Sequence, residues 1–128
     1  MMTLLESILL HEGFNAKPYK DTKGVLTFGH GLTYITEDES ICIVINRLRE
    51  RGKQLEPYIS KLSINKQEVL IEMSFQLGIN GLMNFKRMWK AIKREDWFSA
   101  RNEMLDSQWA KHDSPGRALE MADKFLLG

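Results

Sequence analysis

Between Phe14 and Thr33 the chain cannot be a helix. Pro18 removes a backbone donor, and Gly24, Gly29 and Gly31 interrupt the helix formers that stand on either side. The run Asp21-Thr22-Lys23-Gly24 puts Asp at the first and Gly at the last position of a turn, so the stretch reads as a β-hairpin. Strand alternation sets Val25, Thr27 and Gly29 on one face and Leu26, Phe28 and His30 on the other, in a sheet of at most three strands. So small a sheet needs something to pack on.

Helical spacing governs the remainder. Thr3 and Glu6 form a capping box ahead of Leu4, Leu5, Ile8 and Leu9, predicting a helix that runs to Glu12 or Gly13. Glu12 lies four beyond Ile8 and three beyond Leu9, so it is expected on the inward, apolar face. Thr36 and Glu39 cap a second helix that Gly52 or the segment before Pro57 should end. Asn65 with Glu68 is read as the cap of a third, apolar helix stopped by Gly78. Further helices are expected over 84–94, from Asp96 through about Lys111, and after Ser114 with Pro115 at the first helical position. The layout predicts a mainly helical α+β domain with two unequal lobes: a small β lobe at 14–35, a connecting helix at 36–56, and a helical lobe from 1–13 with 57–128.

Eighteen basic residues against seventeen acidic leave a net charge of +1, so no global field demands a nucleic-acid or membrane partner. A single cysteine, Cys42, closes no internal disulfide, and synthesis in the cytoplasm is the expected setting. The N-terminus lacks the features of a signal peptide, and no segment approaches the roughly 20 apolar residues of a membrane span, so stable membrane insertion is not expected. His11, His30 and His112 show no ligand spacing with Cys42, and neither a phosphate loop nor a serine nucleophile elbow occurs. No metal or other cofactor is expected.

A carboxyl on an apolar helix face is costly to ionise, which makes Glu12 a candidate proton donor. Asp21, at a turn among Lys17, Lys20 and Lys23, sits in a wetter and more cationic setting and is a candidate base. Two carboxyls pushed apart in this way divide acid and base work as glycoside hydrolysis requires, and Thr27 could hold a water on the same side as Asp21. The residues alone leave the plainer alternative open, a solvated helix end and an ordinary turn former.

The stretch His11-Glu12-Gly13 through Gly31 resembles the signature of the bacteriophage lysozyme (endolysin) family: Glu-Gly closing a first helix, Tyr19-x-Asp21-x-x-Gly24 at a hairpin, then Thr27-x-Gly29. Downstream, the run from Glu72 to Phe85 is similar to the family's core helix, with Phe75-Gln76-x-Gly78 at its end. The run from Asp96 to Ala118 resembles its later Trp, Ser-x-Trp and Pro-x-Arg-Ala motifs.

The resemblance implies a lysozyme-like fold with a cleft between the lobes, and a monomer that hydrolyses the β-1,4 bond between N-acetylmuramic acid and N-acetylglucosamine in bacterial peptidoglycan. It implies Glu12 as general acid, Asp21 with Thr27 activating water, inversion at the anomeric carbon, Arg117 near Glu12, and sugar contacts from Phe75, Gln76, Arg117 and the rim residue Thr33. The carboxyl separation expected for inversion is about 6.5–9.5 Å. An enzyme made in the bacterial cytoplasm would reach the wall after release.

Two departures stand out. The family commonly shows Gly-x-Gly followed by His, whereas His30 here falls between Gly29 and Gly31 and Leu32 follows, so His30 either substitutes as a brace or faces solvent. Thr33 to Thr36 leads straight into the second helix, which predicts a trimmed small lobe.

Two other classes compete. Lys86, Arg87, Lys90, Lys93 and Arg94 around Trp89 suit a nucleic-acid-binding module, although a charge run on a helix is usually a solvated face, and Glu37 to Glu39 with the near-zero net charge argue against it. A lytic transglycosylase or a silent wall-binding protein is the other rival. Asp21 and Thr27 favour hydrolysis over transglycosylation, because a transglycosylase can work with a Glu alone.

Overall fold

The computed structural model describes residues 1–128. The chain is a mainly helical α+β protein whose contacts divide it into two compact units, Met1–Ile43 and Val44–Gly128.

The first unit opens with α1, Leu4–Glu12, capped as the sequence predicts: Glu6 N–H donates to Thr3 Oγ1 at 3.1 Å, and Thr3 N–H to Glu6 Oε2 at 3.2 Å. Strands β1, Asn15–Lys20, and β2, Leu26–Gly29, pair antiparallel, with Tyr19 opposite Thr27, Lys20 opposite Leu26, and an irregularity between Asn15 and Tyr19. In place of a third strand there is one bridge, Phe28 to Leu32, whose two backbone hydrogen bonds are 2.8 and 2.9 Å long. Gly29 and Gly31 carry the positive φ that so tight a return requires.

Helix α2, Glu37–Ile59, starts in the first unit under a second capping box, Thr36 with Glu39, and ends in the second. It runs through Gly52 and Pro57, where the sequence reading had ended it. Pro57 removes one donor, but Leu55 and Ile59 on either side are buried in the core and hold the last turns in place. At Gly52 an added Cβ would stand 3.9 Å from the Ile71 side chain, so the glycine marks a close helix approach rather than a stop.

The second unit continues with α3, Ile64–Met83, whose N-cap is Ser63 rather than Asn65. The Ser63 hydroxyl accepts from Lys66 N–H at 3.3 Å, so the helix starts one residue before the position read as its cap. The predicted break at Gly78 is present, with φ 78 and ψ 164. Then come α4, Lys86–Lys93; α5, Trp97–Leu105; a π turn, Trp109–Asp113; and α6, Pro115–Leu127. The single helix expected from Asp96 through Lys111 is therefore interrupted at Asp106 and Ser107. The π turn closes through Ser114 N–H donating to Trp109 O at 2.8 Å.

Helix α6 packs on α3, α5 and the π turn, and α4 packs on α5. Leu55, Leu70, Met73, Leu82, Met88, Met104 and Phe125 lie fully buried at the centre, each side chain of this size contributing about 1.5–3 kcal/mol relative to exposure.

Candidate active site

In the first unit, α1 ends at Glu12. Gly13, with φ 68, donates its N–H to Leu9 O at 3.1 Å and turns the chain into β1. Glu12 does not have the apolar setting expected of it. No residue of α1 is buried, and Glu12 itself is exposed. The stripe expected to face inward, Leu4, Leu5, Ile8 and Leu9 with Glu12, is exposed throughout, and Ser7 is the one partly covered residue of the helix. A nine-residue helix beside a two-stranded sheet has too little surface in its own unit to cover the stripe.

What does meet the Glu12 carboxyl is the backbone of Gly31. A Cβ built on Gly31 would collide with the carboxylate, coming within 2.6 Å of Cδ and 3.1 Å of Cγ. Close by in both segments, the Phe14 and His30 rings pack at 5.2 Å between centroids, and Asn15 stands opposite Gly29. His30 is thus a ring brace between the start of β1 and the turn after β2. These three adjacent ties hold the end of α1 against the exit of the hairpin.

Asp21 occupies the turn foreseen for it. Its carbonyl accepts from Gly24 N–H at 3.0 Å, and its Oδ1 accepts from Lys23 N–H at 2.8 Å and Val25 N–H at 2.9 Å. Oδ2 has no protein donor. Thr27 is the buried residue of the first unit, 5% exposed, and its hydroxyl donates to Val25 O at 3.1 Å, leaving its lone pairs to accept. Tyr19 stands opposite Thr27 in the sheet, and just beyond the end of β1 Asp21 N–H donates to Val25 O at 2.9 Å, so Asp21 and Thr27 lie at the same end of the hairpin. The Val25 backbone ties to both residues, a link that sequence spacing did not single out. Thr33 is exposed in the bend after Leu32.

The remaining predicted residues belong to the second unit. Gln76 donates Nε2–H to Ser114 Oγ at 2.6 Å, and its Oε1 accepts the Trp109 indole N–H at 3.0 Å. An indole can only donate, which fixes the amide orientation. Ser114 therefore spends its hydroxyl on Gln76 and makes no side-chain cap for α6. Arg117 Nε donates to Glu72 Oε2 at 3.2 Å in an exposed ion pair. Phe75 is half-buried on α3. The structure thus groups Glu12, Asp21, Thr27 and Thr33 in one unit, and Phe75, Gln76 and Arg117 in the other.

The basic helix α4 buries Met88, Ala91 and Ile92, and Trp89 donates its indole N–H to Leu82 O at 3.0 Å, while Lys86, Arg87, Lys90, Lys93 and Arg94 are exposed. That is the pattern of a solvated outer face. No helix is long and apolar enough to cross a membrane.

Two relatives from Dictyostelium discoideum are similar to this chain: "Probable T4-type lysozyme 1", 32% identical over 90 residues, and "Probable T4-type lysozyme 2", 28% identical over 86 residues. The first alignment covers 66% of this chain and 52% of the relative, the second 67% and 49%, so the chain spans about half the length of the curated relatives it matches. The family model described as Phage lysozyme matches residues 10–121, a span that contains all seven residues placed above. With so large a share of its length matched, the chain belongs to the phage lysozyme family.

Proposed function

We propose that this protein is a muramidase that hydrolyses the β-1,4 bond between N-acetylmuramic acid and N-acetylglucosamine in bacterial peptidoglycan, with inversion. The observation that carries the proposal is the seating of the Glu12 carboxyl against Gly31, at the exit of the hairpin that holds Asp21 and Thr27. One small unit thereby carries an acid, a second carboxylate with a free oxygen, and a hydroxyl tied to the same Val25 backbone as that carboxylate.

Glu12 gives its proton to the glycosidic oxygen as the bond to the anomeric carbon breaks. A water accepted by Asp21 Oδ2 and Thr27 Oγ1 attacks that carbon from the opposite face, and Asp21 takes the water's proton. One displacement with no covalent intermediate inverts the configuration, and room for the water requires the two carboxyls to stand about 6.5–9.5 Å apart in the working site. Thr33, Phe75, Gln76 and Arg117 are proposed to contact the sugar chain. For Gln76 one amide hydrogen remains for such a contact once Ser114 and Trp109 are satisfied. The monomeric state, synthesis in the bacterial cytoplasm and action on the wall after release belong to the same proposal.

Purified peptidoglycan incubated with the protein and resolved by mass spectrometry tests substrate, bond and mechanism together. Fragments ending in a reducing N-acetylmuramic acid, with the α anomer formed first, are expected. A 1,6-anhydro end would make the protein a transglycosylase, and intact wall would remove the enzymatic reading.

A further inference from the structure

The second unit contains a cavity of about 760 Å³ between the end of α2 and the turn joining α4 to α5, and none of the seven predicted site residues lines it. Its walls include Tyr58, Trp89 and Trp97, with Lys61, Lys93 and Glu95 beside them. A cavity of this size holds a small ligand.

The aromatic walls are held in place. Trp97 packs edge-on against Phe125 at 6.1 Å between centroids, with the Lys66 ammonium 4.9 Å from its ring. Trp89 is anchored through its indole N–H to Leu82 O and meets the Tyr58 ring at 6.1 Å. Tyr58 is 55% exposed, so its ring remains open to a ligand from solvent. Groups fixed before a ligand arrives lose little freedom on binding.

The polar residues are poised rather than consumed. Neither Lys61 nor Lys93 has an acid within ion-pair distance, whereas the neighbouring Arg94 is 3.5 Å from Asp96. Glu95 holds φ at 60, the only non-glycine residue with positive φ. Its N–H donates to Ile92 O at 3.0 Å, and Asp96 N–H donates to Ala91 O at 2.9 Å. This is a Schellman end to α4, where glycine is the cheap choice. A carboxylate stands there instead, beside the aromatic walls.

Flat apolar faces, free cations and an acceptor carboxylate together match a sugar ring that bears its own acid. The ring's C–H face lies on the aromatics, its carboxylate meets the ammonium groups, and its hydroxyls donate to Glu95. The geometry points to a non-catalytic site in the helical unit for an acidic sugar, for which N-acetylmuramic acid is the probe. Single-stranded nucleic acid also stacks on aromatics, but it needs cations tracking a groove, and here two free lysines share the site with the Glu95 carboxylate on a chain of net charge +1. The inference is independent of the cleavage reading, since it uses neither Glu12 nor the hairpin.

The test titrates the full chain with N-acetylmuramic acid and with N-acetylglucosamine, which lacks the lactyl carboxylate, while the indole N–H resonances of Trp89 and Trp97 are followed. N-acetylmuramic acid should shift both signals saturably, with N-acetylglucosamine at least tenfold weaker. Raising the salt should shrink that difference. The double variant Lys61→Glu and Lys93→Glu, both exposed positions, should abolish the preference while leaving the unliganded spectrum otherwise intact, and Tyr58→Ala should weaken both sugars. Equal response to the two sugars, shifts confined to residues 1–43, or a short oligothymidylate acting at lower concentration than the sugar would each overturn the site. A Glu12→Gln variant, dead or active on peptidoglycan, should titrate as the parent does.

Discussion

At Gly31 a missing side chain makes room for a carboxyl. A methyl there would enter the space of the Glu12 carboxylate while φ sits at 73. Gly31→Ala is expected to cost about 1–2 kcal/mol of stability through backbone strain alone, and to lower peptidoglycan clearing further by displacing Glu12; urea titration beside a turbidity assay separates the two losses. Glu12→Gln keeps the shape and removes the acid, so clearing should fall by roughly 10²–10⁴-fold with the denaturation curve unchanged. Gln76→Ala leaves the Trp109 indole, on a residue 2% exposed, without its acceptor. The expected loss is about 1–3 kcal/mol, read in urea. The turn role of Asp21 was legible because Asp, Gly and both backbone donors lie within five residues. The surroundings of Glu12 were not legible, because helical periodicity names a face without supplying what covers it. The Gln76 network was hidden for a related reason: its partners lie 33 and 38 residues away in sequence.

At the scale of elements the same division holds. Both Thr-x-x-Glu capping boxes and the break at Gly78 were readable because their partners are neighbours in the chain. The continuation of α2 through Pro57 was not, since it depends on Leu55 and Ile59 finding a core built by later helices. The end of α4 offers a direct check: relieving the left-handed backbone with Glu95→Gly removes about 1–2 kcal/mol of strain against about 0.4–1 kcal/mol of added chain freedom. A net gain of roughly 0.5–1 kcal/mol in the denaturation free energy is expected. Helix ends also contribute to the acid dependence of stability. The Ser99 hydroxyl and N–H hold the Asp96 carboxyl below its usual range, hydrogen bonding and then charge from Lys111 do so for Asp106, and the Thr36 backbone N–H and hydroxyl do so for Glu39. Each is lower folded than unfolded, so its contribution is complete above the unfolded value near pH 4 and is lost as pH falls through the folded one. The thermal midpoint should therefore be flat near neutrality and drop below about pH 4, and Asp96→Asn, which keeps an oxygen for the Ser99 N–H, should soften that drop.

Across the whole molecule the burial is one-sided. Every buried apolar residue, from Leu55 to Phe125, belongs to the second unit, and in the first only Thr27 is buried. Helix count and the α+β class were accessible from spacing and turn residues alone. This imbalance was not, because it depends on which stripes find partners. It also governs how the chain breathes. Amide hydrogens on α1 and the hairpin should exchange with deuterated solvent through cheap local openings, while those around Leu70, Met73 and Phe125 wait for global unfolding. The proposed proton donor and its water-holding partners ride on the fast-exchanging part, so a bound glycan that slows exchange between Leu4 and Leu32 would report its own seat on the chain.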